Sequence, residues 1–119
     1  MTCRLHALCF DANHPIRLAR FWAGVLGWDQ NQETAIRAPH GGPKVTWGGP
    51  PLRPKTGRNR LRFELAPPAG GDQRAEVDRL VSLGATCIDA GRRGGAGQSG
   101  AGRVDMADPD GNEFSVRMP

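Results

Sequence analysis

The sequence predicts an α+β fold made of two tandem βαβββ units. Three observations carry this. Short alternating runs are interleaved with two amphipathic stretches, so strands and helices succeed one another along the whole chain. The halves echo each other: Arg4-Leu5-His6 answers Arg60-Leu61-Arg62, and Val25-Leu26-Gly27 answers Ser82-Leu83-Gly84. The order of elements repeats with these letters, at a spacing of about 56 residues, as when one supersecondary unit is used twice. The chain also closes on a hairpin, because Ala107-Asp108-Pro109-Asp110-Gly111-Asn112-Glu113-Phe114 joins two apolar runs through Pro-Asp-Gly turn chemistry.

Each element follows in order. Residues 4–10 alternate as a strand, with His6, Leu8 and Phe10 on one side. Asn13 or His14 caps a helix with Pro15 in its first turn. Leu18, Phe21, Trp22 and Val25 recur at helical spacing, and Gly27 stops the helix. Residues 28–37 read as one weakly patterned strand and 44–47 as a short one. Residues 60–65 are the clearest strand, Leu61, Phe63 and Leu65 alternating with Arg60, Arg62 and Glu64. Asp72 caps a second helix whose stripe is Val77, Leu80 and Val81, and Gly84 ends it. Residues 86–89 form a strand and 91–102 a flexible loop. After the terminal turn Phe114, Val116 and Met118 face one way, and Glu113, Ser115 and Arg117 the other. The expected organisation is a single domain over 1–119, with a first unit about 1–50, a linker about 51–58 and a second unit about 59–119.

Composition narrows the class. Of the 119 residues 38% are hydrophobic and only 6% aromatic, with no Tyr, so the core must rest on aliphatic residues, Phe and the three Trp. No apolar run approaches the roughly 18 residues that read as a membrane span. Residues 1–10 have no signal-peptide layout, because Arg4 and His6 interrupt them, and a cytoplasmic location is expected. Cys3, Cys9 and Cys87 are too few and scattered for a disulfide framework or a metal clip. The net charge is +4, and all the cations except Lys44 and Lys55 are Arg. Arg with abundant Gly, Ala and Pro is associated with GC-rich bacterial genomes. The charge permits weak attraction to phosphate, but no aromatic residue interleaves the Arg-flanked loop for base stacking. Gly95-Ala96-Gly97-Gln98-Ser99-Gly100 has the letters of a dinucleotide-binding run but leads into a strand and not a helix, so it reads as a loop. Flanked by Arg92, Arg93 and Arg103, it could form a basic lid.

Several stretches taken in order resemble the vicinal oxygen chelate superfamily, which includes glyoxalase I, extradiol dioxygenases and bleomycin resistance proteins. They are Arg20-Phe21-Trp22 with Leu26-Gly27-Trp28, Gly42-Pro43-Lys44-Val45, residues 54–60, Leu83-Gly84-Ala85 and the terminal Asp-Pro-Asp-Gly-Asn turn. The bacterial glyoxalase-like subgroup is the most similar. The resemblance implies curled mixed sheets around a cleft, the glyoxalase/bleomycin resistance/dihydroxybiphenyl dioxygenase fold, and a homodimer. It also implies metal ligands on the first and last strands of each unit. His6 suits one such position. Arg62 stands where His is usual and has no lone pair to give. Ser115 stands where Glu is usual, and the first unit's other position falls near Thr46 or Trp47. Glu113 has the right parity but lies two residues early. The expectation is therefore no cofactor and no metal, with His6 and Glu113 the residues left if a divalent ion binds. The expected partner is a small organic ligand, anionic if Arg62 receives it, lined by His6, Trp47, Arg62, Glu64, Glu113 and Ser115. Alternatively Arg62 and Glu64 form a surface ion pair. The rival expectations are a metal-dependent lyase, isomerase or dioxygenase, or acid–base chemistry by His6 or Glu113. An Arg-rich nucleic-acid binder is the further alternative.

Overall fold

The computed structural model describes residues 1–49, 51–88, 98–99 and 102–119, with 98–99 described by their backbone alone. The chain divides into two compact units, Met1–Pro54 and Lys55–Pro119. The division falls inside the Gly- and Pro-rich stretch.

The first unit runs β1 (Ala7–Asp11), α1 (Pro15–Leu26), β2 (Asp29–Gln32), β3 (Ala35–Arg37) and β4 (Lys44–Gly48). Its sheet order is β1-β4-β3-β2. The first and last strands are parallel, from Ala7↔Lys44 to Asp11↔Gly48, and the other pairs are antiparallel. Pro15 opens α1 because its missing N–H needs no partner there. Gly27 closes it at φ 69°, its N–H donating to the Ala23 carbonyl at 2.8 Å. Leu18, Ala19, Phe21, Trp22 and Val25 form the buried stripe, and the Phe21 and Trp22 rings meet edge to face at 5.1 Å. Ala35, Ile36, Val45 and Trp47 are the buried positions of the sheet.

Two local expectations change in this unit. Residues 28–37 are two strands, folded back at Glu33-Thr34, where Gln30 Nε2 donates to the Glu33 carbonyl at 3.0 Å. The weak patterning followed from β2 being exposed along its whole length. Asn13 does not cap α1; His14 occupies the N-cap position. The Asn13 amide holds residue 52 from both sides, Nδ2 donating to Leu52 O at 3.1 Å and Oδ1 accepting from Leu52 N at 2.7 Å.

The second unit runs β5 (Glu64–Leu65), α2 (Gln73–Leu83), β6 (Thr86–Cys87), β7 (Gln98–Ser99), β8 (Arg103–Ala107) and β9 (Glu113–Val116). Its order is β5-β9-β8-β6, with β7 also paired to β8. Again the first and last strands are parallel. The internal repeat thus has a structural meaning, since both units close their sheet by laying the last strand beside the first. Asp72 caps α2, its Oδ2 accepting from Ala75 N at 3.1 Å. The Gly84 N–H returns to the Leu80 and Val81 carbonyls. Val77 and Leu80 are buried, but Val81 is 47% exposed, so the apolar stripe of α2 is narrower than its sequence suggests.

The strand expected over 60–65 is confined to Glu64–Leu65, extended by Phe63 O accepting from Ser115 N at 3.1 Å. Leu61 is 67% exposed, so its alternation with Phe63 and Leu65 does not mark a continuous buried face. Residues 86–88 are described, with β6 at Thr86–Cys87; Asp89, Arg92, Arg93 and the Gly95–Gly97 and Gly100 positions of the glycine run lie outside the described residues.

The terminal turn is organised by Asp108. Its Oδ1 accepts from Asp110 N at 3.0 Å and Asn112 N at 2.9 Å, and Asn112 Nδ2 donates to both of its oxygens. Asp108 itself is 4% exposed. Gly111 adopts φ 88°, a conformation that favours glycine, and its N–H donates to the Asp108 carbonyl at 2.9 Å.

Candidate functional site

In the first unit His6 is exposed and directly precedes β1, its carbonyl accepting from Lys44 N at 3.2 Å so that the β1–β4 ladder continues. Trp47 is 4% exposed and stacked on Phe10, with ring centroids 6.1 Å apart. The register places Phe10, Trp47, Leu8, Val45 and Ile36 on one face of the sheet. The other face carries Cys9, which is exposed, with Lys44 and Thr46, which are half-buried.

In the second unit the ladder brings two of the polar candidates and one further residue into register. Glu64 pairs with Ser115 across β5–β9, and Ser115 pairs with Asp105 across β9–β8. Registered residues share a face, so Glu64, Ser115 and Asp105 form one polar row. Ser115 is 1% exposed and Asp105 is 6% exposed. Asp105 accepts from Arg103 Nε at 3.2 Å. The Ser115 hydroxyl has no hydrogen-bond partner among the described residues. A buried polar group without a partner calls for a water, a ligand or a catalytic role. Arg62, half-buried just before β5, and Glu64 make no ion pair with each other among the described residues. Neither side chain has another partner there.

Glu113 lies on the same face as Ser115, opposite Ala107, and is engaged. Lys55 Nζ donates to its Oε2 at 2.5 Å, and Asn59 N donates to its Oε1 at 2.6 Å. Lys55 also donates to the Gly57 carbonyl, and Asn59 Nδ2 to Asn112 Oδ1 at 3.2 Å. The Glu113 side chain is 15% exposed and that of Lys55 29%. Burial pushes the Glu113 carboxyl up, but the hydrogen bonds from Lys55 and Asn59 N and the Lys55 charge outweigh it and hold the group below its ordinary value. A lowered carboxyl pKa stabilises the fold fully above the ordinary glutamate range, and this contribution is lost as pH falls through the folded value. Glu113→Gln should therefore be less stable than the parent at pH 7 and closer to it at an acid pH well below the ordinary glutamate range. Urea unfolding at both pH values measures this; a constant difference would show that the clamp carries no charge.

These donors do not fit the divalent ion that the fold family implies. Arg62 cannot ligate, Ser115 is a neutral hydroxyl, and both carboxylate oxygens of Glu113 already accept from Lys55 and Asn59. Among the described residues no three His, Cys, Asp or Glu side chains gather to hold a metal. Nucleophilic chemistry at Cys87 is equally unsupported. Burial and the Asp78 charge push its thiol up against the opposing Arg74, which keeps it protonated near neutral pH.

Sequence reasoning missed Asp105, Lys55 and Asn59 as site residues, and placed Arg103 only as a flank of the glycine-rich loop. An acidic residue between Val104 and Met106 on a strand was the available signal for Asp105. Lys55 and Asn59 meet Glu113 across more than fifty residues, which only the fold brings together, whereas Arg103 lies two residues from Asp105 on β8.

A family model described as a glyoxalase-like domain matches residues 7–117. The chain belongs to this family. Among solved structures, the glyoxalase-like chain is similar to a glyoxalase-related enzyme from Fulvimarina pelagi, at 15% identity and a TM-score of 0.65, covering 99% of this chain and 89% of that one. It is similar to the fosfomycin resistance protein FosX from Mesorhizobium loti at 17% identity and a TM-score of 0.62, covering 100% and 94%. TnmS3, an antibiotic binding protein from Streptomyces sp. CB03234, gives 16% identity and a TM-score of 0.58, covering 99% and 97%. At these identities the glyoxalase-like fold is what is shared. No curated protein matches the chain in sequence. No helix of the described residues is long and apolar enough to cross a membrane.

Proposed function

We propose that this glyoxalase-like protein binds a small organic anion along the β5–β9 ladder of its second unit, without a divalent ion. The observation that carries the reading is the Ser115 hydroxyl, 1% exposed and without a partner among the described residues, with Arg62, likewise unpartnered among them, two positions before Glu64, the registered partner of Ser115. The guanidinium forks onto a carboxylate or phosphonate, and Ser115 donates to the same ligand. Asp105 is already engaged by Arg103 and serves as a fixed acceptor beside them. Glu113 anchors the Lys55–Asn59 segment to β9 and so holds the entrance to β5 in place. That the fold also carries an antibiotic binding protein and a fosfomycin resistance protein supports an organic ligand of antibiotic size.

Calorimetric titration with fosfomycin and with benzoate tests the reading. At least one should bind, and Arg62→Ala should weaken it about tenfold or more, the scale of a lost charge-assisted hydrogen bond. Arg74→Ala, whose side chain is exposed on α2 and pairs with Asp78, should have almost no effect. Equal losses in the two variants, or no binding of either compound, would count against the assignment.

A further inference from the structure

The first unit carries a pocket independent of the ladder above. The α1–β2 junction, strand β2 and the β3–β4 turn line a half-open surface pocket of about 340 Å³. That is within the size range of small-molecule sites, roughly 300–1,000 Å³. Its chemically active lining is Trp28, Asp29, Asn31, Arg37 and His40.

Three features single this pocket out from the surrounding surface. First, Asp29 and Arg37 are registered partners across β2–β3, so their side chains leave the same face about 5 Å apart at Cβ. Opposite charges so placed would normally join, yet neither side chain has an ion-pair or hydrogen-bond partner among the described residues. Second, the register slips between Asp29↔Arg37 and Gln32↔Ala35, so β2 carries one extra residue. Such a bulge turns nearby side chains out of the ladder, and Asn31, which lines the pocket, lies within it. Third, His40 holds a left-handed backbone at φ 61°, ψ 31°, the one non-glycine residue with positive φ among the described residues. That conformation sets its imidazole in the pocket lining at a small conformational cost.

We propose that this pocket binds a small zwitterion carrying a flat ring, of the aromatic amino acid class. The ligand carboxylate takes the Arg37 fork and an N–H of His40, its ammonium donates to Asp29, and its ring lies on the half-buried Trp28 indole. A single anion would leave Asp29 facing it with repulsion, and a single cation would do the same at Arg37. A molecule with both charges a few bonds apart satisfies the unjoined pair.

The test uses the whole chain and three probes in calorimetric titration: L-tryptophan, indole-3-acetate, which lacks the amine, and tryptamine, which lacks the carboxylate. L-Tryptophan should bind most tightly of the three. Asp29→Asn and Arg37→Gln should each weaken it about tenfold, as for a lost charge-assisted contact. Arg74→Ala should leave it unchanged. His40→Gly keeps a backbone that glycine adopts freely, so its loss of affinity reports the imidazole alone. Arg37→Lys retains charge without the fork and serves where Arg37→Gln alters the circular dichroism spectrum; it too should weaken binding. No binding of L-tryptophan, equal affinity for either truncated probe, or indifference to the Asp29 and Arg37 variants would overturn the proposal.

Discussion

Phe114→Ala should destabilise the protein by about 3–5 kcal/mol, the usual cost of removing a fully buried ring. Phe114 is 1% exposed and pairs across β8–β9 with Met106, which is 0% exposed. The next pair on the same face, Val104 and Val116, is buried as well, so the ring lies in a continuous apolar face with no solvent to fill the gap it leaves. Domains of this size have only about 5–15 kcal/mol in total, so the variant should approach its unfolding threshold at moderate temperature. Urea unfolding measures this directly: the midpoint should fall while the slope stays constant. A loss below about 1 kcal/mol would show that this face is not the core of the second unit.

Asp108→Ala should cost about 3 kcal/mol although it removes little apolar surface, because unmet donors in a buried site are expensive. The carboxylate is 4% exposed and accepts from two backbone N–H groups and from the Asn112 amide. Without it the Asp110 and Asn112 N–H groups lose their acceptor inside a closed turn. Asp78→Ala, at a carboxylate 71% exposed on α2, should cost far less. Equal effects of the two substitutions in thermal unfolding would contradict this division of roles.

The contrast between these aspartates shows what the sequence could express. Elements with local causes were legible: the Pro15 start and Gly27 stop of α1, the Asp72 cap of α2, and the hairpin around Gly111 all depend on residues within one turn of each other. The repeat was legible because spacing and order agree between the halves. Where a residue's role depends on a strand partner, the letters alone were not enough. Leu61 alternates like a core residue but has no ladder to hold it. Residues 28–37 hide a hairpin because β2 has no buried side to pattern. Ser115 and Glu64 are marked by their parity, whereas Asp105, an acidic residue between two apolar strand positions, takes its role from its pairing with Ser115. Glu113 drew notice as a carboxylate of the right parity, and its engagement by Lys55, 58 positions earlier, required the fold.

The site proposed here rests on an arginine and a hydroxyl where a divalent ion would need His and carboxylate donors. Elemental analysis tests this most directly: purified protein is loaded in turn with zinc, nickel, manganese and iron(II), and desalted before measurement. No metal above background is expected in any of the four. One equivalent of any of them, retained by the parent and lost in Glu113→Ala or His6→Ala, would contradict it.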